Sequence, residues 1–227
     1  MKLAWQQIPS PVISEILCNV GLDGVVIDTE HGFFNNETLF TCIQVINLAK
    51  KLCYVRITEP NKSLARACLD SGVDGLIFST VNRPMDCDRI HEMCKYPRHG
   101  GKRGLGLVRQ NKWGAKELVS APPKIIAQIE TIEGVSNIDI ISTYDFDYYM
   151  IGPYDLSASL GKPGNFDNIA YTKALKRVKA FVPNNKMAVH IPTDVKNQLK
   201  KYKNYGMMAL GMDTTLLIQA YKEINDA

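Results

Sequence analysis

Two phrases of this sequence carry an apolar run into a carboxylate. Ile125-Ile126-Ala127 leads to Gln128-Ile129-Glu130, and Tyr148-Tyr149-Met150-Ile151 leads through Gly152-Pro153-Tyr154 to Asp155. An apolar, β-branched run cut off by Gly-Pro or a polar turn reads as a strand buried on both faces. A carboxylate just past such a strand destabilises the fold unless its charge is offset. Two on successive strands suit a divalent cation held by hard oxygen ligands, most simply magnesium or manganese. The bland alternative is a pair of solvated loop acids. Strand alternation puts Gln128 on the same side as Glu130, so its amide can bind what the cation binds.

Further residues could join them. Asp28-Thr29-Glu30-His31 follows Val25-Val26-Ile27, another apolar run. His31 is either a satisfied loop residue or, beside a metal site, a general base. Arg56 stands inside Tyr54-Val55-Arg56-Ile57, flanked by apolar residues. A guanidinium there must be paired. It serves a structural ion pair, or its planar fork meets an anionic substrate oxygen.

The elements that must position these groups recur along the chain. Apolar runs at 3–7, 24–28, 53–58, 75–79, 125–129, 148–152, 187–191 and 207–211 predict strands. Helical periodicity lies between them. The segment 11–20 places Val12, Ile16 and Val20 on one face, 63–69 is short and one-sided, and 168–182 carries Ala170, Leu175, Val178 and Val182. Strands alternating with helices indicate a parallel sheet with helical crossovers. Eight such units predict one closed (β/α)8 TIM barrel over residues 1–227. An open nucleotide-binding sheet would want a G-x-G-x-x-G turn after an early strand; Gly104-Leu105-Gly106 lies in a loop region instead. The polarity agrees with a barrel. Lys2, Lys51, Lys124 and Lys186 precede strands, whereas Asp28, Glu30, His31, Arg56, Glu130, Asp155, His190 and Asp213 lie at or beyond strand ends. Barrel active sites form at the C-terminal ends of the strands. A Schiff-base aldolase needs a lysine there, and this pattern provides none. The long connection 96–123 is expected to be functional or to hold further structure.

Composition excludes other classes. At 227 residues, 45% of them hydrophobic, the chain can bury a full core, and no stretch approaches the roughly 18 apolar residues of a membrane span. The N-terminus lacks the apolar core of a secretory signal. The six cysteines all precede residue 95 without a C-x-x-C pair, which fits reduced thiols in a cytoplasmic protein. The net charge of +4 is mild. Arg98, Lys102, Arg103 and Arg109 do cluster, but with few interleaved aromatics they suit an anionic small molecule better than nucleic acid.

At this point the residues match a family. The chain resembles the HpcH/HpaI (4-hydroxy-2-oxoheptanedioate) aldolases, metal-dependent class II pyruvate aldolases. Matching phrases run in order through residues 5–217: Val26-Ile27-Asp28-Thr29-Glu30-His31-Gly32, Val55-Arg56, Leu69-Asp70-Ser71-Gly72, and Arg103-Gly104-Leu105-Gly106. They continue with Gln128-Ile129-Glu130-Thr131, Ile151-Gly152-Pro153-Tyr154-Asp155-Leu156-Ser157 and Gly211-Met212-Asp213-Thr214-Thr215. The resemblance implies a phosphoenolpyruvate/pyruvate-type barrel, forming dimers to hexamers with a C-terminal helix of about 214–226 packing across subunits. It implies Glu130 and Asp155 as ligands of magnesium, manganese or cobalt, and pyruvate held by Arg56, Gln128 and Asp155. Arg56 would steady the enolate, and His31 would move protons with Asp70 as its dyad partner. Asp70 ends the helix before the fourth strand, on the stability face. It can serve a site only if the chain bends there or a neighbouring subunit supplies it. The implied reaction is cleavage or formation of a 4-hydroxy-2-oxo acid from pyruvate and an aldehyde. Competing readings are an acyl-CoA lyase of the citrate lyase β type and a non-catalytic oligomeric barrel.

Overall fold

In the computed structural model, which describes residues 1–58, 60–117 and 121–226, the apolar runs form a ring of parallel strands. These are β1 Lys2–Gln6, β2 Gly24–Asp28, β3 Leu52–Ile57, β4 Gly75–Phe78, β5 Lys124–Ile129, β6 Tyr148–Ile151, β7 Met187–Ile191 and β8 Met207–Leu210. They pair in chain order, and β1 closes the barrel on β8. The crossovers carry α1 Pro11–Cys18, α2 Asn36–Leu48, α3 Lys62–Ser71, α4 Pro84–Cys94, α5 Ile132–Ser136, α6 Ile138–Ile141, α7 Pro153–Ser159, α8 Ile169–Phe181 and α9 Val195–Gln198. The helix α10, Asp213–Asn225, follows β8. Asn35, Asn61 and Asn168 cap α2, α3 and α8, each accepting a backbone N–H that the helix itself cannot pair.

Both faces of the strands are buried, as continuous apolar runs require. Leu3, Trp5, Val26, Tyr54, Ile77, Ile126, Met150, Ala188, Met207 and Ala209 fill the barrel. Their neighbours, among them Val25, Ile27, Val55, Ile57, Leu76, Phe78 and Ile129, pack under the helices against Ile43, Leu69 and Ile90. The two-residue period then dictates the mouth. Two positions beyond Trp5, Val26, Tyr54, Ile126 and Ala188 stand Gln7, Asp28, Arg56, Gln128 and His190. Apolar filling gives way to polar side chains within one step. At the opposite face the lysines are ties: Lys124 pairs with Asp147 at 2.6 Å, and Lys51 donates to the Leu22 carbonyl at 2.7 Å.

One expectation needs correction. On α1 the stripe of Val12, Ile16 and Val20 is exposed, and Ser14 and Cys18 face inward. The buried Gln6 requires a polar partner there, and Ser14 Oγ donates to its Oε1 at 2.8 Å. The connection 96–123, of which 118–120 lie outside the described residues, contains two 3-10 turns, Pro97–His99 and Arg109–Gly114. All six cysteines are buried and unpaired, and among the described residues no helix is long and apolar enough to cross a membrane.

Candidate active site

The mouth is organised around a charged pair that strand register imposes. Asp28 and Arg56 are partners across β2 and β3. The Arg56 fork closes on both carboxylate oxygens, Nε to Oδ1 at 2.9 Å and Nη2 to Oδ2 at 2.7 Å. Its Nη1 reaches Glu30 Oε2 at 2.9 Å, and Ser79 Oγ donates to Glu30 Oε1 at 3.0 Å. Asp28 also accepts from Trp5 Nε1 at 3.2 Å, Gln7 Nε2 at 3.1 Å and the backbone N–H of Glu30 at 3.1 Å. Burial alone would push its carboxyl up. The Arg56 contact, helped by Gln7 and Trp5, holds it below the usual carboxylate range. Removing one member of such a buried pair costs about 3–5 kcal/mol. Both readings of Arg56 therefore meet in one residue: it is a structural ion pair, and it also lines the mouth.

Glu130 follows β5 and is 3% exposed. Thr80 donates to its Oε1 through both N–H, at 2.6 Å, and Oγ1, at 2.8 Å, while Gln128 Nε2 donates to Oε2. To aim both donors, Thr80 adopts a left-handed backbone, φ 55°, which a β-branched residue seldom tolerates. Burial pushes the Glu130 carboxyl up despite these donors, and the negative charges of Asp155 and Glu30 add to the shift. Among the described residues no lysine or arginine forms an ion pair with Glu130. Gln128 Oε1 is buried and accepts no hydrogen bond among them. Gly152 lies so close that a Cβ there would stand 2.8 Å from Glu130 Cβ and 2.9 Å from Gln128 Nε2.

A desolvated carboxylate with acidic neighbours and an orphaned amide oxygen fits a divalent cation. Asp155 differs from its sequence reading: it stands in the first turn of α7, exposed. No group of three or more His, Cys, Asp or Glu side chains assembles among the described residues. A site so sparing in protein ligands suits magnesium or manganese, which keep water and substrate oxygens in their shell.

Arg56, Gln128, Asp155 and His31 line one cavity of about 340 Å³, together with Trp5, Tyr154, His190 and Met212. The backbone N–H of His31 points at Asp28 Oδ1 at 3.4 Å. Asp70 is not brought there. Its Oδ1 instead binds Arg103 Nη2 at 2.7 Å. Arg103 is 3% exposed and lies over the Tyr96 ring at 4.6 Å. Within its own barrel Asp70 therefore anchors the 96–123 connection and is no partner for His31.

Sequence reasoning placed Asp28 and His190 at strand ends without giving them a role, and passed over Thr80 and the packing of Gly152. Alternation points Asp28 and His190 into the mouth, each two residues past a barrel-filling position. Nothing local announces Thr80. The His190 ring stacks on Trp5 at 4.0 Å and 12°, with Nε2 3.2 Å from the Gly211 carbonyl. Burial, seconded by the Arg56 charge, pushes its imidazole down to about 4.

Comparison with known proteins extends this picture. A model of the HpcH/HpaI aldolase/citrate lyase family matches residues 3–220. The 4-hydroxy-2-oxovalerate aldolase of Rhodococcus jostii is 31% identical, over 94% of this chain and 85% of its own. The hydroxypyruvate/pyruvate aldolase of Pseudomonas aeruginosa is 26% identical, over 97% of this chain and 85% of its own. The crystal structure of an HpcH/HpaI aldolase/citrate lyase family protein from Burkholderia cenocepacia superposes with a TM-score of 0.90. It covers 100% of this chain and 93% of that one at 23% identity, a likeness of fold.

Proposed function

This chain belongs to the HpcH/HpaI aldolase/citrate lyase family, and from that premise we propose that it is a divalent-metal-dependent carbon–carbon lyase. It cleaves or forms a 4-hydroxy-2-oxo acid, with pyruvate as one partner and an aldehyde as the other. The observation that carries the reading is the buried Glu130 carboxylate, with no ion-pair partner among the described residues, joined through Gln128 to the cavity that Gln128, Asp155 and Arg56 line. A cation held by Glu130 and Asp155 would supply Lewis acidity toward the carboxylate and keto oxygens of the 2-oxo acid.

The chain's own groups do the rest. A guanidinium has five N–H donors, and Asp28 and Glu30 engage three of those on Arg56. Two remain for a substrate oxygen, in a fork fixed before substrate arrives. In the cleavage direction His31 takes the proton of the C4 hydroxyl. The C3–C4 bond then breaks, the aldehyde leaves, and the electron pair stays on the pyruvate fragment as an enolate. Arg56 stabilises that charge, and protonation at C3 completes pyruvate. Asp28 positions both groups, since it holds the fork of Arg56 and the backbone of the loop carrying His31. The described lining of the cavity contains no lysine, which favours this course over a Schiff base.

On α10, Leu216, Leu217, Ile218, Tyr221 and Ile224 are exposed. That apolar surface supports packing against a second copy, and Asp70 would act catalytically only across such a boundary. The test of the reading is exchange of the pyruvate methyl protons in deuterated water. Exchange should require magnesium or manganese, stop with chelator and resist borohydride. Exchange in the metal-stripped protein would refute the metal role, and turnover confined to a CoA ester would make the chain an acyl-CoA lyase.

A further inference from the structure

His190 stands where the cavity just described adjoins a second one of about 630 Å³, and both share its ring together with Tyr154 and Pro192. Its tautomer follows from its partner. The Gly211 carbonyl can only accept, so Nε2, 3.2 Å away, carries the proton. Nδ1 is then a lone-pair acceptor, and no described residue donates to it. The stack on Trp5 fixes the plane of the ring, and Trp5 is itself tied to Asp28. Burial keeps the imidazole neutral at ordinary pH. The surroundings do not favour an anionic tail. Arg56 is engaged by two carboxylates, and Lys201, which lines the second cavity, shares it with Asp167 and Asp194.

We propose that His190 determines the specificity of this enzyme for its electrophile. Its Nδ1 accepts a hydrogen bond from the hydroxyl of an α-hydroxyaldehyde, so the partner of pyruvate is a neutral, hydroxylated aldehyde. The inference rests on the aldolase reading above. It assigns to His190 the binding of the second substrate, separate from the chemistry at Arg56 and His31.

The experiment compares kcat/KM for glycolaldehyde and for propionaldehyde, near-isosteres that differ by one hydroxyl, with pyruvate as nucleophile. The wild-type protein should favour glycolaldehyde by about tenfold, the scale of one well-made hydrogen bond. His190→Phe keeps a ring against Trp5 but has no acceptor, and should reduce that ratio to within about twofold of unity. His190→Asn gives up the stack but keeps an oxygen near the position of Nδ1, and should retain most of the ratio. Should the Phe variant not fold, His190→Leu makes the same deletion. The opposite ranking, with Phe retaining the preference and Asn losing it, would make the residue a support for Trp5 and overturn the proposal. So would a wild-type preference for succinic semialdehyde, whose tail is anionic. Pyruvate proton exchange by the wild-type protein separates the layers. Exchange without hydroxyl preference sinks this inference alone, whereas absence of exchange removes the aldolase reading and this inference with it.

Discussion

Replacing Gly152 with alanine should damage the site far more than the fold. Gly152 has φ −92° and ψ 92°, a conformation open to any L-residue, so backbone freedom is not why glycine is needed. Space is. The added methyl would stand 2.8 Å from Glu130 Cβ and 2.9 Å from Gln128 Nε2, and nearer still to Glu130 Oε2. Non-bonded carbon contacts settle at about 3.5–4.0 Å, so Glu130 and Gln128 must withdraw by about 1 Å. Glu130 has little room, because Thr80 holds its other oxygen at 2.6 Å and 2.8 Å. Overpacking of this kind costs about 1–3 kcal/mol, which in a domain of this size lowers Tm by roughly 3–10 °C. A displacement of about 1 Å in a positioning group can cost about 10²-fold in rate. The expected result is therefore a folded protein with a modestly lower melting temperature, weakened magnesium or manganese binding, and pyruvate proton exchange slowed by about 10²-fold. Melting by circular dichroism, cation titration and the exchange rate read these separately. Exchange within threefold of wild type, with unchanged cation affinity, would refute the placement of Glu130 and Gln128 at the metal.

Arg56→Lys keeps the charge but only one of three contacts, and should lower kcat by about 10²-fold while destabilising the fold by about 3 kcal/mol; steady-state kinetics showing less than a fivefold loss would make Arg56 purely structural. His31→Ala should slow cleavage by about 10²- to 10⁴-fold and leave cation affinity intact, and a variant that loses the metal first would be a ligand mutant. Glu130→Gln combined with Asp155→Asn should fold and fail to bind manganese by titration; retained affinity would move the metal elsewhere. Asp28 has its carboxyl held below the usual range in the folded protein. Its contribution to stability is thus complete at neutral pH and is lost as pH falls from about 4 through that depressed value. Unfolding free energy should drop more steeply between about pH 4 and pH 2 in wild type than in Asp28→Asn, and parallel acid limbs would contradict the assignment.

Much of this architecture is local and was legible in the sequence. The strands arise from apolar runs whose ends are set by turn residues, and each observed strand lies within a residue or two of its run. Glu130, Gln128, Arg56 and His31 were legible because polar groups at the ends of buried strands contradict their surroundings. Three matters were decided only in three dimensions. Which way α1 turns its apolar stripe depends on what the helix meets, and the buried amide of Gln6 claimed Ser14. Whether Asp70 reaches His31 depends on what packs over the end of α3, and there Arg103 of the 96–123 connection claims its carboxylate. The third is the coupling of distant segments. Thr80 twists into a left-handed conformation to hold Glu130, 50 residues away, and Gly152 leaves the gap that Glu130 and Gln128 occupy. A sequence shows the period that points a side chain inward. The register between strands, which places Asp28 beside Arg56 and His190 against Trp5, is fixed only when the barrel closes.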